Sequence, residues 1–386
     1  MIRDSLNSHT KQPVVAIYGV DLDVKNTSSY GIANYTRRLI EALAVCEPPG
    51  FRVVLLVSES NAPDFVPSTM PSWMSAHVVH RYGSGVLSRL WADQVLSGYS
   101  ARKVGAAIIH FPKGYVPVWG VGRQRIVATI HDTIVFYYLR HFPGWFPFLK
   151  IRYFCLMTLH ALKRADRVLT ISEFSYGELI RLYPPASVKT EVIYFGAGVA
   201  AAPPGRARER HGLMVLGSLF PHKAIAQALI LLNEYAAHKR LTALEVVITG
   251  FAQWPQVWGT APDRLALSFR GHVSNTELTS LYGESRALVL LSEVEGLGLP
   301  AIESYEAETP VCYRASTALA ELMKGVPGGW DGGNSESFVT ALDDALALTP
   351  IAISAIRKQL SEKYHWGRAA KRVLDVYGEE LNKVVY

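Results

Sequence analysis

At 386 residues the chain is too long for one ordinary domain and suits two of roughly 180 residues each. Hydrophobic residues make up 49% and charged residues 19%, which excludes a disordered polyelectrolyte. Charge is uneven: residues 1–200 hold 21 Lys+Arg against 13 Asp+Glu, while the remainder is slightly acidic, for a total of +6.

A basic first half suits an anionic partner, such as an anionic membrane surface or a phosphorylated acceptor. No nucleic-acid motif accompanies it, so nucleic acid is not expected as a partner. No apolar run approaches the ~20 residues of a spanning helix. Residues 1–7 lack the apolar core of a signal peptide. Cys46, Cys155 and Cys312 are scattered and odd in number, which suits a reducing compartment rather than a disulfide frame or a zinc site. A cytoplasmic protein is expected, with peripheral contact to an inner membrane as an option.

Taken in order, residues 1–12 are polar and read as loose. The run from Val14 to Tyr18 reads as a parallel strand, and Tyr30 to Leu43 as a helix with Ile32, Tyr35, Leu39 and Leu43 on one face. Strands are expected at 52–57, 78–79 and 106–111, a loop over 60–75, and a helix over 85–100 around Trp91. The run 127–132 reads as a strand ending in the polar pair His131-Asp132. Ligands in parallel sheets sit at the carboxyl ends of strands, where that pair would lie. Residues 137–167 interleave eight aromatics with Arg140, Lys150, Arg152, Lys163, Arg164 and Arg167. Such a segment suits a membrane interface, or equally a core helix with a solvated basic face. A strand at 167–171 precedes Ser172, a good helix N-cap residue.

Residues 196–211 are rich in Gly, Ala, Pro and Arg and read as an interdomain linker. Strands are expected at 213–217 and 246–250, and helices from 224, at 275–283, 316–324, 336–348 and 353–384, the last broken near 365–367. Strand–helix alternation throughout both halves implies two parallel α/β units. The expected division is 1–196, 197–365 and a final helix over 366–386.

The chemistry concentrates in residues 292–303. The apolar run 287–291 reads as a buried strand and Leu299 onward as a helix, with Pro300 in its first turn, where a missing N–H costs nothing. Gly296 and Gly298 bracket one residue between them. Glycines there let another group approach the backbone, and the loop and helix-start amides form an anion site. Glu295 precedes those amides and Glu303 lies one turn into the helix. Two carboxylates make poor phosphate ligands. They suit hydroxyls on either side of a diphosphate, one on a sugar ring and one on a ribose.

The string Glu295-Gly296-Leu297-Gly298-Leu299-Pro300-Ala301-Ile302-Glu303 resembles the E-G-F-G-L-P-x-x-E signature of family-4 retaining glycosyltransferases of the GT-B fold. That resemblance implies two Rossmann-like parallel-sheet domains facing across a cleft, with no cofactor and no metal. It implies a nucleotide diphosphate sugar as donor. Glu295 would touch the donor sugar, the amides of Gly296, Leu297 and Gly298 would hold the diphosphate, and Glu303 would bind the ribose. Thr309-Pro310-Val311 matches the family's next strand entry, with Glu308 where the family usually has Gly.

Other motifs follow in the family's order. Gly31 matches a glycine that admits the donor phosphates and acceptor, although Tyr30 replaces the glycine before it. Thr129-Ile130-His131-Asp132 matches T-I-H-D, whose His reaches the donor sugar. Ser172-Glu173-Phe174-Ser175 also matches. Gly217 to Lys223 resembles G-x-x-x-P-[RH]-K, with Lys223 on the donor phosphates. Ser218 stands where many members carry Arg, and His222 is a candidate to replace part of that charge. Phe269 to Val273 resembles F-x-G-x-V, so Gly271, His272 and Val273 would lie along the nucleotide base.

The implied activity is a retaining, metal-independent hexosyl transfer to a saccharide or lipid-linked acceptor in polysaccharide or lipopolysaccharide synthesis. GDP-mannose is the first donor to test, on family frequency. The rivals are a GT-A enzyme with Asp21-Leu22-Asp23 as a metal-binding D-x-D, a non-catalytic GT-B assembly partner, and a GT-B sugar-phosphate synthase.

Overall fold

The computed structural model describes residues 12–23, 30–80, 91–197 and 210–384. Two parallel sheets organise it. The first has seven strands among the described residues: β1 Val14–Tyr18, β2 Arg52–Val57, β3 Met74–Val78, β4 Ile108–Phe111, β5 Arg125–Thr129, β6 Arg167–Thr170 and β7 Thr190–Val192. The second has six: β8 Leu213–Leu216, β9 Leu244–Thr249, β10 Leu265–Phe269, β11 Leu288–Leu290, β12 Val311–Arg314 and β13 Gly329–Trp330. This is the two-domain GT-B arrangement.

Strand order explains where a ligand can sit. The sheets run β3-β2-β1-β4-β5-β6-β7 and β10-β9-β8-β11-β12-β13. In each, the chain moves outward on one side, then returns to the centre and moves outward on the other. The crevice at that reversal opens between the carboxyl ends of β1 and β4, and of β8 and β11. Residues 217–223 leave β8 and residues 292–303 follow β11, so topology alone brings these two stretches together.

Helices cover both faces because central parallel strands are apolar on both sides. Val15, Ile17, Val53 and Leu55 meet one layer, and Ala16, Val54 and Leu56 the other. The helix Tyr30–Ala44 buries Tyr35, Leu39 and Leu43, three of the four positions read from sequence, while Ile32 is half-buried and Ala33 beside it is fully buried.

The last helix, Trp366–Asn382, packs on Tyr30–Ala44 and on the first sheet. Polar contacts fix it there. The Tyr377 hydroxyl lies 2.6 Å from His110 Nδ1, and Arg125 Nε donates to Glu380 at 2.8 Å. His110 Nε2 meets Thr129 Oγ1 at 2.8 Å, so this fully buried ring is paired at both nitrogens.

Several local expectations change. The third strand is Met74–Val78, not 78–79, and the expected loop over 60–75 contains the short helix Ala62–Phe65. Residues 85–90 of the helix expected around Trp91 lie outside the described residues. Beyond them a π-helical turn, Ala92–Leu96, runs into the helix Ser97–Lys103. Strands β10 and β13 carried too little pattern to be read from sequence. The segment 137–167 is split: the helices Ile134–His141 and Phe148–Arg164 flank a turn. Residues 198–209 of the expected linker lie outside the described residues.

Candidate active site

On the first-domain side the site begins just past β5. His131 Nε2 donates to the Pro112 carbonyl at 2.8 Å, which leaves Nδ1 as the acceptor nitrogen. Burial pushes the ring down to about 4, so it is neutral near pH 7. The Tyr35 ring meets it edge-on at 4.5 Å. Asp132 follows, with Oδ1 accepting from the Ile134 amide at 2.9 Å. Burial pushes its carboxyl up, and nearby Glu295 adds to that while Lys223 opposes it.

On the second-domain side, Gly217 leaves β8 where a Cβ would lie 2.0 Å from the Thr249 carbonyl oxygen, so only glycine fits that crossing. Ser218 Oγ accepts from the Phe220 amide at 3.2 Å, closing its own turn. A single 3-10 turn, Pro221–Lys223, then presents Lys223. Its Nζ lies 2.7 Å from Glu295 Oε1. Burial alone would raise the Glu295 carboxyl, but Lys223 beside it outweighs burial and holds it below the usual range. Glu295 is 7% exposed, so this is a largely desolvated ion pair. A cavity of about 100 Å³ lies behind it, lined by Gly217, Ser218, Lys223, Ser292 and Pro300 among others. The Ser292 hydroxyl there is buried, and beside Lys223 it helps to hold the Glu295 carboxyl down.

The loop from Glu295 leads to the helix Leu299–Glu306. Gly298 caps that helix at φ 95°, and among the described residues its start has no side-chain cap hydrogen bond. A Cβ on Gly298 would also meet Leu319 Cδ2 at 2.5 Å. Gly296 lies directly against the first domain: a Cβ there would sit 3.2 Å from the His131 carbonyl oxygen and 3.2 Å from Asp132 Cβ. Its carbonyl accepts from Ser172 Oγ at 2.7 Å. The hydroxyl that caps the helix Glu173–Leu182 therefore also ties the two domains together. Glu321 crosses the same seam, its carboxylate accepting from the Phe174 amide at 2.9 Å and from Tyr194 at 2.8 Å.

His131, Lys223, Glu295 and Gly296 thus form one cluster at the domain boundary, with Leu297 and Gly298 next in the chain. The remaining expected residues surround it less closely. Gly31 is exposed in the first turn of its helix, where an added Cβ would meet nothing within 4 Å. Gly271, at φ 62°, lies with His272 and Val273 just after β10, with His272 exposed and the other two half-buried. Glu303 accepts from the buried Tyr282 hydroxyl at 3.3 Å.

One expectation needs correction, and one rival finds no support. His222 does not replace the charge missing at Ser218. Burial pushes its imidazole down to about 4, and its Nδ1 lies 2.7 Å from the Tyr138 hydroxyl, turned toward the first domain. The Asp21-Leu22-Asp23 triplet is not set out as a metal-binding pair. Asp21 is ion-paired with Lys113 and Leu22 is buried between the two acids. Among the described residues, no group of three or more His, Cys, Asp or Glu could hold a metal ion.

Sequence reasoning missed Tyr35, Ser292, Tyr137, Tyr138 and Glu321. Tyr35 read simply as a core position, and the tyrosine pair was lost among many aromatics. Asp132 was legible as the neighbour of His131.

Two parallel-sheet domains arranged in this way are the GT-B fold. Residues 30–198 match the family model for Glycosyltransferase Family 4. The O-antigen chain mannosyltransferase B of Escherichia coli is 27% identical over 236 residues, 56% of this chain and 59% of that protein. A glycogen synthase of Mycobacterium tuberculosis is 27% identical over 266 residues, 65% of this chain and 62% of that protein. The chain thus spans about three-fifths of these relatives' length. The sucrose-phosphate synthase structure from Thermosynechococcus elongatus superposes with a TM-score of 0.68 at 15% identity, over 96% of this chain and 100% of that one. The likeness to glycosyltransferase family 4 is thus carried by residues 30–198, somewhat less than half of the chain.

Proposed function

We propose that this protein is a retaining, metal-independent hexosyltransferase that uses a nucleotide diphosphate sugar. The observation that carries the reading is the Lys223–Glu295 pair at 2.7 Å, set beside His131-Asp132 and the uncapped start of Leu299–Glu306. On this reading Glu295 takes a donor-sugar hydroxyl and Glu303 the ribose. Gly271, His272 and Val273 border the base, and Gly31 leaves room for the phosphates and the acceptor. Lys223, with the amides of Gly296, Leu297 and Gly298, stabilises the charge that develops on the leaving diphosphate. His131 meets the sugar as a neutral hydrogen-bonding group. The acceptor hydroxyl attacks from the leaving group's side, and the departing phosphate oxygen takes its proton.

GDP-mannose is the first donor we propose, since one relative is an O-antigen mannosyltransferase. For the acceptor, a lipid-linked saccharide in polysaccharide or lipopolysaccharide synthesis is supported by one patch of surface. The helix Phe148–Arg164 exposes Phe148, Leu149 and Leu156 beside the exposed Lys150 and Arg152. No single helix among the described residues is long and apolar enough to span a membrane. The same helix buries Ile151, Cys155, Met157 and Leu162, so it serves the core on its other side. We retain the division at 196/197 and 365/366 as the proposed domain limits.

The test is a panel of nucleotide sugars, reading nucleoside diphosphate release with and without lipid extract. Release from one donor, stimulated by extract, is expected. A protein that turns over no donor under either condition is a binding partner and not an enzyme. Synthesis of a sugar phosphate in place of a lipid-linked product assigns it to the synthase alternative.

A further inference from the structure

Beside the Lys223–Glu295 pair lies a closed ring of contacts that the proposed reaction does not use. The Tyr138 hydroxyl sits 2.7 Å from His222 Nδ1. The His222 carbonyl accepts from the Glu293 amide at 2.7 Å. The Glu293 carboxylate accepts from the Tyr137 hydroxyl at 2.8 Å. Tyr137 and Tyr138 are neighbours on one helix, Ile134–His141, so the ring closes. One side of it belongs to the first sheet's domain and the other to the second.

The two second-domain members are each next to a donor residue. His222 precedes Lys223, and Glu293 lies two residues before Glu295. The helix that carries the tyrosines begins directly after His131 and Asp132. Tyr138 is 1% exposed and packs against Phe142, Phe146, Phe220 and His222, so its hydroxyl has little freedom to turn elsewhere. A buried hydroxyl facing a neutral imidazole is paired only while the two domains keep this relative position.

We infer that Tyr137 and Tyr138 are positioning residues: through His222 and Glu293 they hold Lys223 and Glu295 in register with the first domain. This deepens the proposed donor site and rests on it. The lysine turn has little support of its own. It is a single 3-10 turn, followed by Ala224 in the left-handed region at φ 51°, a conformation that surrounding contacts must hold. A donor diphosphate that meets Lys223 would therefore bind tightly only when the first domain grips the turn.

The experiment uses the full chain and three probes, GDP, UDP and ADP, titrated by calorimetry. The best-bound one is then titrated into Tyr137→Phe, Tyr138→Phe and the double variant. Each single change is expected to weaken binding about threefold to tenfold, the effect of one lost hydrogen bond. The double variant is expected to lose less than the product of the singles, because either break opens the same ring. In donor turnover the loss appears in KM, with kcat at saturating donor nearly kept. Glu293→Ala, which cuts the ring from the other domain, must behave like Tyr137→Phe. Unchanged affinity in a folded Tyr137→Phe, Tyr138→Phe or Glu293→Ala variant, or a fall in kcat with KM constant, overturns the inference. Lower melting temperature with unchanged affinity also overturns it, by making the ring purely structural. If the wild-type chain binds none of the three diphosphates, the donor reading itself fails and the inference falls with it.

Discussion

Lys223 and Glu295, from the ends of two different strands, hold one another at 2.7 Å where the two domains meet. The pair does two things at once. It keeps a buried carboxylate ionised, and it fixes a cation next to the cavity lined by Ser218 and Ser292. Neither residue is well placed without the other, because a buried charge needs a partner.

Replacing Lys223 by Met tests that dependence. Turnover is expected to fall by about a hundredfold, the usual effect of removing one charge-stabilising donor. Glu295 then lacks its cation, and its carboxyl should rise above its ordinary range because burial is no longer opposed. Restoring the pH–rate profile of the parent chain would show that Lys223 does not set the state of Glu295.

His131→Ala is expected to lower turnover far more than affinity for the free nucleoside diphosphate. The proposed contact is to the sugar and not to the phosphates, so its loss belongs to the transition state. Steady-state kinetics and calorimetry on the same preparation check this. Turnover within twofold of the parent would leave His131 with only its bond to Pro112.

Stability should fall as pH drops from neutral toward 4. His110 is pushed down to about 3 and His131 and His222 to about 4, all by burial first. Unfolded, each takes up a proton near pH 6.5, so between that value and the folded one the unfolded state binds more protons. Each group's contribution is complete above about pH 6.5 and is lost as pH falls, at up to about 1.4 kcal/mol per pH unit per ring. Asp93, pushed up to about 8 mainly by burial and also by Asp21, works in the opposite direction over that window. The difference between the parent and His110→Gln, followed by melting temperature from pH 7 to 4.5, isolates one ring. The variant should show the shallower slope.

Glu308→Gly is expected to stabilise the protein slightly. Glu308 adopts φ 59° just after the helix Leu299–Glu306, in the left-handed region. A side chain there costs about 1–2 kcal/mol, partly offset by the greater freedom of an unfolded glycine. The Arg357 contact to Glu308 at 3.1 Å is exposed and contributes little. A rise of about 2 °C in melting temperature is expected. A fall would mean that Arg357 outweighs the backbone strain.

Anionic vesicles should bind the protein at low salt and release it as salt rises. Arg140, Lys150 and Arg152 are exposed beside Phe148 and Leu149, so replacing the three by Ser should weaken flotation without unfolding the chain. A chain that ignores such vesicles at low salt has in this segment only a core helix with a solvated face.

Much of this protein was determined by sequence alone. The parallel-sheet class followed from short apolar runs alternating with amphipathic helices, because burying both faces of a strand leaves a mark in every residue. The loop Glu295 to Glu303 was legible because Gly298, at φ 95°, and Pro300, in the first helical turn, meet local backbone requirements, and such requirements are met within a few residues. The N-cap at Ser172 was legible for the same reason.

Tertiary structure alone decided what depends on distant neighbours. That Glu295 faces Lys223 is a consequence of strand order, and that Gly296 lies against His131 and accepts from the Ser172 hydroxyl is a consequence of how the second domain packs on the first. It also decided the state of charged groups. His222 read as a candidate cation, and burial against Tyr138 made it neutral. A residue's charge depends on the dielectric and the partners around it, and those come from chain segments that its own sequence neighbourhood does not specify.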